Sequence, residues 1–386
     1  MENTPFLLTN EQRKYLGLIP VEKDWELMKI NNIHLYFDGD IIRKKIIINE
    51  DGYLEQELCE RTAENRTMLL PKTAKGKPKK LNFTATQSFS PFGVYFRFST
   101  DGYICIANYT TQTTYFSENI GNNKTFEDLK IWLNQWMVGT TEDNLSEIDA
   151  FKTAKRQHCK FKEGDFFAFK INRRNWGFGR ILIDVIKLKK SDEFKQGKNY
   201  GLTNLMGKPL IVKVYHKISD SVNIDLDELN NCMSLPSQAI MDNHFYYGEY
   251  RIIGNKEIKT SEYDEPLISY GRSINSSKDP DSVYLQYGFI YKETNISKFN
   301  KYLKKEHKLY GWEDNPYRNE AIGFGLNLYN LNQCIAEKSN VPFWNSNYYA
   351  LKSDLRNPAN IEIKREIFNF FGLDADKSYE ENLILI

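Results

Sequence analysis

The chain has 386 residues, more than a single hydrophobic core usually contains, so two or three domains are expected. Its 52 lysines and arginines almost balance its 51 aspartates and glutamates, and the net charge of +1 excludes an overall electrostatic attraction to nucleic acid or to an anionic membrane. The five cysteines are scattered without a Cys-x-x-Cys pair, and no apolar stretch reaches the length of a membrane span. We therefore expect a cytoplasmic protein with reduced thiols and no membrane contact.

The first 145 residues are predicted to form a β-rich domain that carries one long helix. Short runs of β-branched and aromatic residues are separated by Asp-Gly dipeptides at positions 38–39, 51–52 and 101–102. This pattern is typical of antiparallel hairpins. Thr125 then precedes a run with apolar side chains at helical spacing, and Gly139 follows it. We expect a capped helix over 126–137 that packs its apolar face against the preceding sheet.

Residues 165–186 form the most informative stretch. Two short runs of aromatic and β-branched residues are joined by a polar tip at 172–175, which predicts an antiparallel hairpin. Gly177 and Gly179 lie in the second run, so two positions lack side chains where another backbone can approach. Further strands are predicted over 210–218, 245–253 and 283–291.

Together these patterns predict an α+β chain in three parts. The parts are a β-rich domain at 1–145, a small SH3-like or partly open β-barrel at 158–292, and a mostly helical region at 293–386. The last part is inferred from runs with helix-capping residues and helical periodicity at 296–304, 319–338 and 357–371.

Two motifs of the central part carry a resemblance. They read Phe-Lys-x-Gly-Asp-Phe-Phe-Ala from residue 161 and Trp-Gly-Phe-Gly-Arg-Ile-Leu from residue 176. Over about 160–260 the chain resembles the immunity protein 26 family of bacterial polymorphic-toxin systems, and residues 246–254 resemble the closing strand of that family. The positions that carry the resemblance are Gly164, Asp165, Phe167, Gly177, Gly179, Arg180, Gly248 and Gly254.

The resemblance implies an immunity protein that binds and neutralises a cognate toxin protein in the cytoplasm, through surface complementarity and without turnover. Arg173, Arg174 and Trp176 at the hairpin tip are the predicted partner contacts, because bulky side chains at exposed tips are frequent interface anchors. The alternative is a solvated tip whose tryptophan packs back onto the sheet.

Two other functions remain open. The family alignment includes a phosphotriesterase-like protein, which suggests a phosphoester hydrolase, and small barrels often bind nucleic acid through aromatic side chains on their strands. The five histidines form no His-x-His or His-Glu-x-x-His motif, so no metal, cofactor or catalytic residue is predicted. A hydrolase would need converging His, Asp or Cys side chains, and a nucleic-acid module would need a basic, aromatic face.

Overall fold

An antiparallel sheet of seven strands organises the N-terminal unit, Met1–His158. In this computed structural model the described residues are 6–190, 207–259, 266–272, 281–303, 317, 323–346 and 348–386. The strands of this unit are β1 (Glu26–Ile30), β2 (Ile33–Asp38), β3 (Ile41–Asn49), β4 (Gly52–Arg61), β5 (Met68–Leu69), β6 (Lys79–Lys80), β7 (Phe92–Ser99), β8 (Tyr103–Asn108) and β9 (Thr113–Asn119). The large sheet has the order β1-β2-β3-β4-β7-β8-β9, and β5 pairs with β6 separately.

The helices of this unit are α1 (Asn10–Leu16), α2 (Phe83–Thr86), α3 (Phe126–Val138) and α4 (Glu142–Thr153). The three predicted hairpins are confirmed as the pairs β2–β3, β3–β4 and β7–β8. Helix α3 begins at a capping box formed by Thr125 and Asp128. Its buried Leu129, Trp132, Leu133 and Trp136 share one core with strands β7 and β8, so the predicted packing of its apolar face is confirmed.

A buried ion cluster joins α1 to this sheet. The Glu55 carboxylate accepts hydrogen bonds from Arg13 Nε at 2.8 Å, from Lys44 Nζ at 2.6 Å and from the Tyr53 hydroxyl at 2.5 Å. The Glu55 and Lys44 side chains are fully buried, and 4% of the Arg13 side chain is exposed. Burial raises the pKa of Glu55, but the charges of Lys44 and Arg13 outweigh it and hold that pKa below its ordinary value.

The second unit, Cys159–Ile386, contains two antiparallel sheets. Its strands are β10 (Asp165–Lys170), β11 (Trp176–Asp184), β12 (Pro209–Ser219), β13 (Gln238–Met241), β14 (Arg251–Asn255), β15 (Ile268–Arg272), β16 (Ser282–Tyr287) and β17 (Ile290–Asn295). The first sheet has the order β13-β12-β11-β10-β14, and the second has the order β15-β16-β17. The predicted hairpin over 165–186 is therefore confirmed, as the pair β10–β11.

The helices in the described part of this unit are mostly short. They are α5 (Val185–Lys189), α6 (Leu226–Asn230), α7 (Asn243–Tyr246), α8 (Leu331–Glu337), α9 (Val341–Trp344), α10 (Tyr349–Lys352), α11 (Ile361–Phe370) and α12 (Tyr379–Ile384), with 3₁₀ turns at Lys301–Leu303 and Pro358–Asn360. Both units thus combine sheets with helices, and the α+β class is confirmed. The division into three domains stays a prediction. Among the described residues, no helix has the length and apolar character needed to span a bilayer.

The C-terminal helices cover the five-stranded sheet. Phe343 and Trp344 of α9 and Leu331 of α8 belong to the same buried cluster as Phe167 of β10 and Ile181 of β11. A second cluster joins the three-stranded sheet to helices α11 and α12. Each of the two sheets therefore shares a hydrophobic core with helices that follow it in the chain.

Several sequence predictions for this unit were wrong. Both sheets are open, and β13 and β14 are the outermost strands of the larger one, so the predicted SH3-like barrel is not closed. The strand expected over 245–253 is interrupted, because α7 and a left-handed turn at Gly248 precede β14. The strand expected over 283–291 is two strands that turn at Gly288.

Two predicted helices are also shorter than expected. Only a 3₁₀ turn forms within 296–304, of which residue 304 lies outside the described residues. Of the run 319–338, residues 323–330 are not helical, and residues 319–322 lie outside the described residues. The helix predicted over 357–371 is confirmed, as a 3₁₀ turn that continues into α11.

Candidate functional site

The β10–β11 hairpin is buried on both faces of its sheet. Gly177 and Gly179 of β11 lie opposite Phe169 and Phe167 of β10, and the two phenylalanine rings occupy the space above the glycines. On the other face, the ring of Phe178 packs in a cluster with aromatic and aliphatic side chains of β10, β12 and α6. The glycines are therefore needed because neighbouring rings fill the volume that a side chain would take.

Gly179→Ala is expected to lower the free energy of unfolding by about 1–3 kcal/mol, the usual cost of overpacking a core. The added Cβ would overlap the ring of Phe167 and lie 2.6 Å from the carbonyl oxygen of Lys213. Denaturant unfolding monitored by hydrogen exchange of β11 measures the change. Gly325→Ala is the matched control, because its Cβ would make an ordinary contact, 3.7 Å from His244. Equal stabilities of the two variants would contradict this account of Gly179.

Arg180 is a fully buried arginine that ties three segments together. Its guanidinium lies 4.6 Å from the centre of the Phe166 ring. It donates hydrogen bonds to Asn230 Oδ1 of α6 at 2.8 Å and to the carbonyl oxygens of Lys256 and Glu257 at 2.8 and 3.1 Å. These hydrogen-bond partners follow Arg180 by 50, 76 and 77 residues, so the arginine links the hairpin to α6 and to the segment after β14.

The remaining motif residues shape turns. Asp165 accepts a hydrogen bond from the backbone N–H of Lys162 at 2.7 Å and another from Asn255 Nδ2 at 2.8 Å, so its carboxylate stabilises the turn. Gly164 and Gly248 have φ values of +84° and +75°, which favour glycine. A Cβ at Gly254 would overlap Leu226. The motif positions that carry the resemblance therefore build the scaffold.

The hairpin tip presents a cluster of positive charge. Asn172 Oδ1 accepts hydrogen bonds from the backbone N–H groups of Arg174 and Asn175, both at 2.9 Å, which fixes the tip as a compact turn. Lys170 Nζ donates to the carbonyl oxygen of Arg173 at 3.2 Å. Arg174 is exposed, whereas Arg173 and Lys170 are half-buried.

Trp176 lies beneath this tip and is buried, with 7% of its surface exposed. Lys170 Nζ lies 4.4 Å from the centre of its ring, and the guanidinium carbon of Arg251 lies 4.6 Å from it. The indole thus packs against the sheet and holds two cations by cation–π attraction. We call Lys170, Arg173, Arg174 and Arg251, with Trp176 between them, the basic hairpin end.

Some arginines at the described surface form ion pairs and others do not. Within the described ranges, neither Arg174 nor Arg251 forms an ion pair, and the same holds for the exposed Arg61 and Arg97. By contrast, carboxylates pair with Arg43, Arg66 and Arg365. Arg174 and Arg251 are thus exposed cations without an ion pair to a described carboxylate.

Other titratable groups have structural partners. His244 Nδ1 lies 3.0 Å from Glu249 Oε1, and its ring stacks on Tyr250 with centroids 4.7 Å apart. Burial lowers the pKa of His244, but the hydrogen bond and charge of Glu249 outweigh it and raise that pKa above its ordinary value. His216 Nε2 lies 2.9 Å from Asn340 Oδ1. In the part of the chain that the structure describes, no three His, Cys, Asp or Glu side chains are grouped so that they could hold a metal ion.

The central part of the chain is similar to a known protein family. Residues 162–280 match the model of the family Immunity protein 26. The resemblance read from the motifs is thereby confirmed for this segment, which we call the family segment. Searches of curated proteins and of solved structures gave no significant match to the chain.

Sequence reasoning missed two members of the basic hairpin end. Arg251 is 75 positions from Trp176, and it reaches the indole because β14 pairs with β10. Lys170 precedes the tip and gave no signal beyond its charge. The alternation of β10 could have placed Lys170 on the same face as Ala168, but only the pairing of β14 adds Arg251.

Proposed function

We propose that the chain is an immunity protein that binds a cognate toxin protein and neutralises it stoichiometrically. The observation that carries this proposal is the match of the family segment to an immunity-protein family. The burial of Phe167, Gly179 and Arg180 supports it, because the residues that define the segment maintain a rigid sheet. A rigid sheet suits recognition by preformed surface complementarity, which needs no catalytic group.

The proposed mechanism is occlusion. A stable protein–protein interface buries about 800 Å² on each partner, and a chain of this size has ample surface for it. We propose that the basic hairpin end lies in this interface, with Arg173 and Arg174 in contact with the toxin and Trp176 as the buried support of Lys170 and Arg251. We place the interaction in the cytoplasm of the cell that produces both proteins.

Titration of a candidate toxin tests the proposal, and a toxin domain encoded beside the gene of this chain would be the first candidate. Toxin activity is expected to fall linearly with added chain and to reach its minimum at one chain per toxin, because tight binding without turnover is stoichiometric. Cells that express the toxin are expected to survive when the chain is co-expressed. Complete inactivation by a small molar fraction of the chain would indicate turnover instead, and the absence of both protection and a complex would refute the proposal.

A further inference from the structure

A short segment of the C-terminal region lies along the outer side of β13. The backbone N–H of Gly323 donates to the carbonyl oxygen of Ala239 at 3.0 Å, and the carbonyl oxygen of Gly323 accepts from the N–H of Met241 at 3.0 Å. At the other end of the segment, the N–H of Asn327 donates to the side-chain oxygen of a β13 glutamine at 2.6 Å. We call residues 323–327 the edge strap.

His244 of α7 joins the edge strap to the turn before β14. Its Nδ1 lies 3.0 Å from Glu249 Oε1, and its ring stacks on Tyr250. The carbonyl oxygen of Phe324 in the edge strap accepts a hydrogen bond from the same imidazole. A Cβ at Gly325 would lie 3.7 Å from Nε2, so this second nitrogen faces the edge strap.

Both ring nitrogens of His244 therefore face oxygen acceptors. A neutral imidazole has one N–H and one lone pair, so it can donate to Glu249 or to Phe324, and its lone pair would then face the other oxygen. The imidazolium form donates to both. We infer that protonated His244 fastens the edge strap to the family sheet and that the strap loosens when the ring loses its proton.

The direction of the pKa agrees with this geometry. Burial lowers the pKa of His244, but the hydrogen bonds to Glu249 and Phe324 and the charge of Glu249 outweigh it and raise that pKa. The unfolded chain therefore loses this proton at lower pH than the folded chain does. The stabilisation is complete below the ordinary value of 6.5 and is lost as the pH rises through the folded pKa.

The other titratable groups around His244 keep their charge over this range of pH. Among the described residues, Glu249 is the charged group that faces the imidazole. Burial raises the pKa of Tyr250 far above that of a histidine, so the phenol stays neutral. Asp242, which precedes α7, interacts with the charge of Lys208. The edge strap presents its backbone to the ring, so the proton of His244 is what changes.

Hydrogen exchange of the full chain tests this inference. As the pH rises through the pKa of His244, the protection factors of the Gly323 and Met241 amides are expected to fall about tenfold, the effect of removing one hydrogen bond to a charged group. An NMR titration of the His244 ring supplies that pKa. Amides of β11, in the middle of the sheet, should keep their protection and serve as the internal control.

Three variants assign the effect to the ring. Glu249→Gln removes the charge beside His244, so the loss of protection should move to lower pH. His244→Gln should make the protection of the edge strap independent of pH. His216→Gln is the matched control and should keep the wild-type dependence, because the His216 ring bonds to Asn340 of another segment.

Two results would overturn the inference. One is constant protection of Gly323 while His244 titrates, and the other is a wild-type dependence on pH in His244→Gln. Should His244→Gln fail to fold, Glu249→Gln decides the question, since an unmoved midpoint would contradict the role of the ring. None of these measurements uses a toxin, so their outcome is separate from that of the proposed function.

Discussion

Glu55→Gln is expected to lower the free energy of unfolding of the N-terminal unit by about 3–5 kcal/mol, the cost of breaking a buried ion pair from one side. Gln keeps the shape of the side chain but removes the charge that compensates Lys44 and Arg13, both buried beside it. Two cations would then remain in the interior without their carboxylate. Hydrogen exchange of β3 and β4 under increasing denaturant measures the change.

The same cluster makes the stability of the wild-type protein depend on pH in the acidic range. The pKa of Glu55 is lowered in the folded state, so the unfolded chain binds its proton at higher pH than the folded chain does. The stabilisation is therefore complete above the ordinary value of 4.5 and is lost as the pH falls below it through the folded pKa. The stability of the Glu55→Gln variant should not fall in this way as the pH is lowered.

Glu127→Gln is the matched control for the acid experiment. Its side chain is 76% exposed and pairs with Lys130 at the surface of α3. Exposed pairs contribute little to stability, so this variant should unfold like the wild type. A Glu55→Gln variant as stable as this control would show that the buried charges are compensated by other means.

Phe343→Ala is expected to lower the free energy of unfolding by about 3–5 kcal/mol and to accelerate hydrogen exchange in β10, β11 and β12. Phe343 lies outside the family segment, yet it is 3% exposed and packs in the cluster that contains Phe167 and Ile181. Its truncation leaves a cavity against the face of the sheet. The family segment should therefore lose stability when a residue of the C-terminal region is changed.

Phe324→Ala provides the comparison for Phe343→Ala within the same region. Phe324 is 76% exposed, so its truncation should leave exchange in the sheet unchanged. If Phe343→Ala also leaves β10–β12 protected while it unfolds the C-terminal helices, the family segment folds independently. The C-terminal helices would then be a separate domain, as the sequence predicted.

Local sequence patterns determined much of the secondary structure. The Asp-Gly dipeptides marked the hairpins β2–β3, β3–β4 and β7–β8, because Gly39, Gly52 and Gly102 adopt the positive φ values that reverse the chain at these turns. Helix α3 followed from its capping residues and apolar periodicity. The motifs of the hairpin over 165–186 also sufficed to relate the central segment to its family, since they encode the close packing of glycines against rings.

Contacts between distant residues decided the rest. Trp176 is buried because β11 lies in the middle of a sheet and because Arg251 covers the indole from another strand. The apolar run 245–253 divides into α7 and β14, since Phe245 packs in the core while Gly248 turns the chain. Helices α8 and α9 cover the family segment through apolar side chains whose cluster includes Phe167 and Ile181, more than a hundred residues away. Periodicity shows that a residue is apolar, but only the tertiary structure determines which surface buries it.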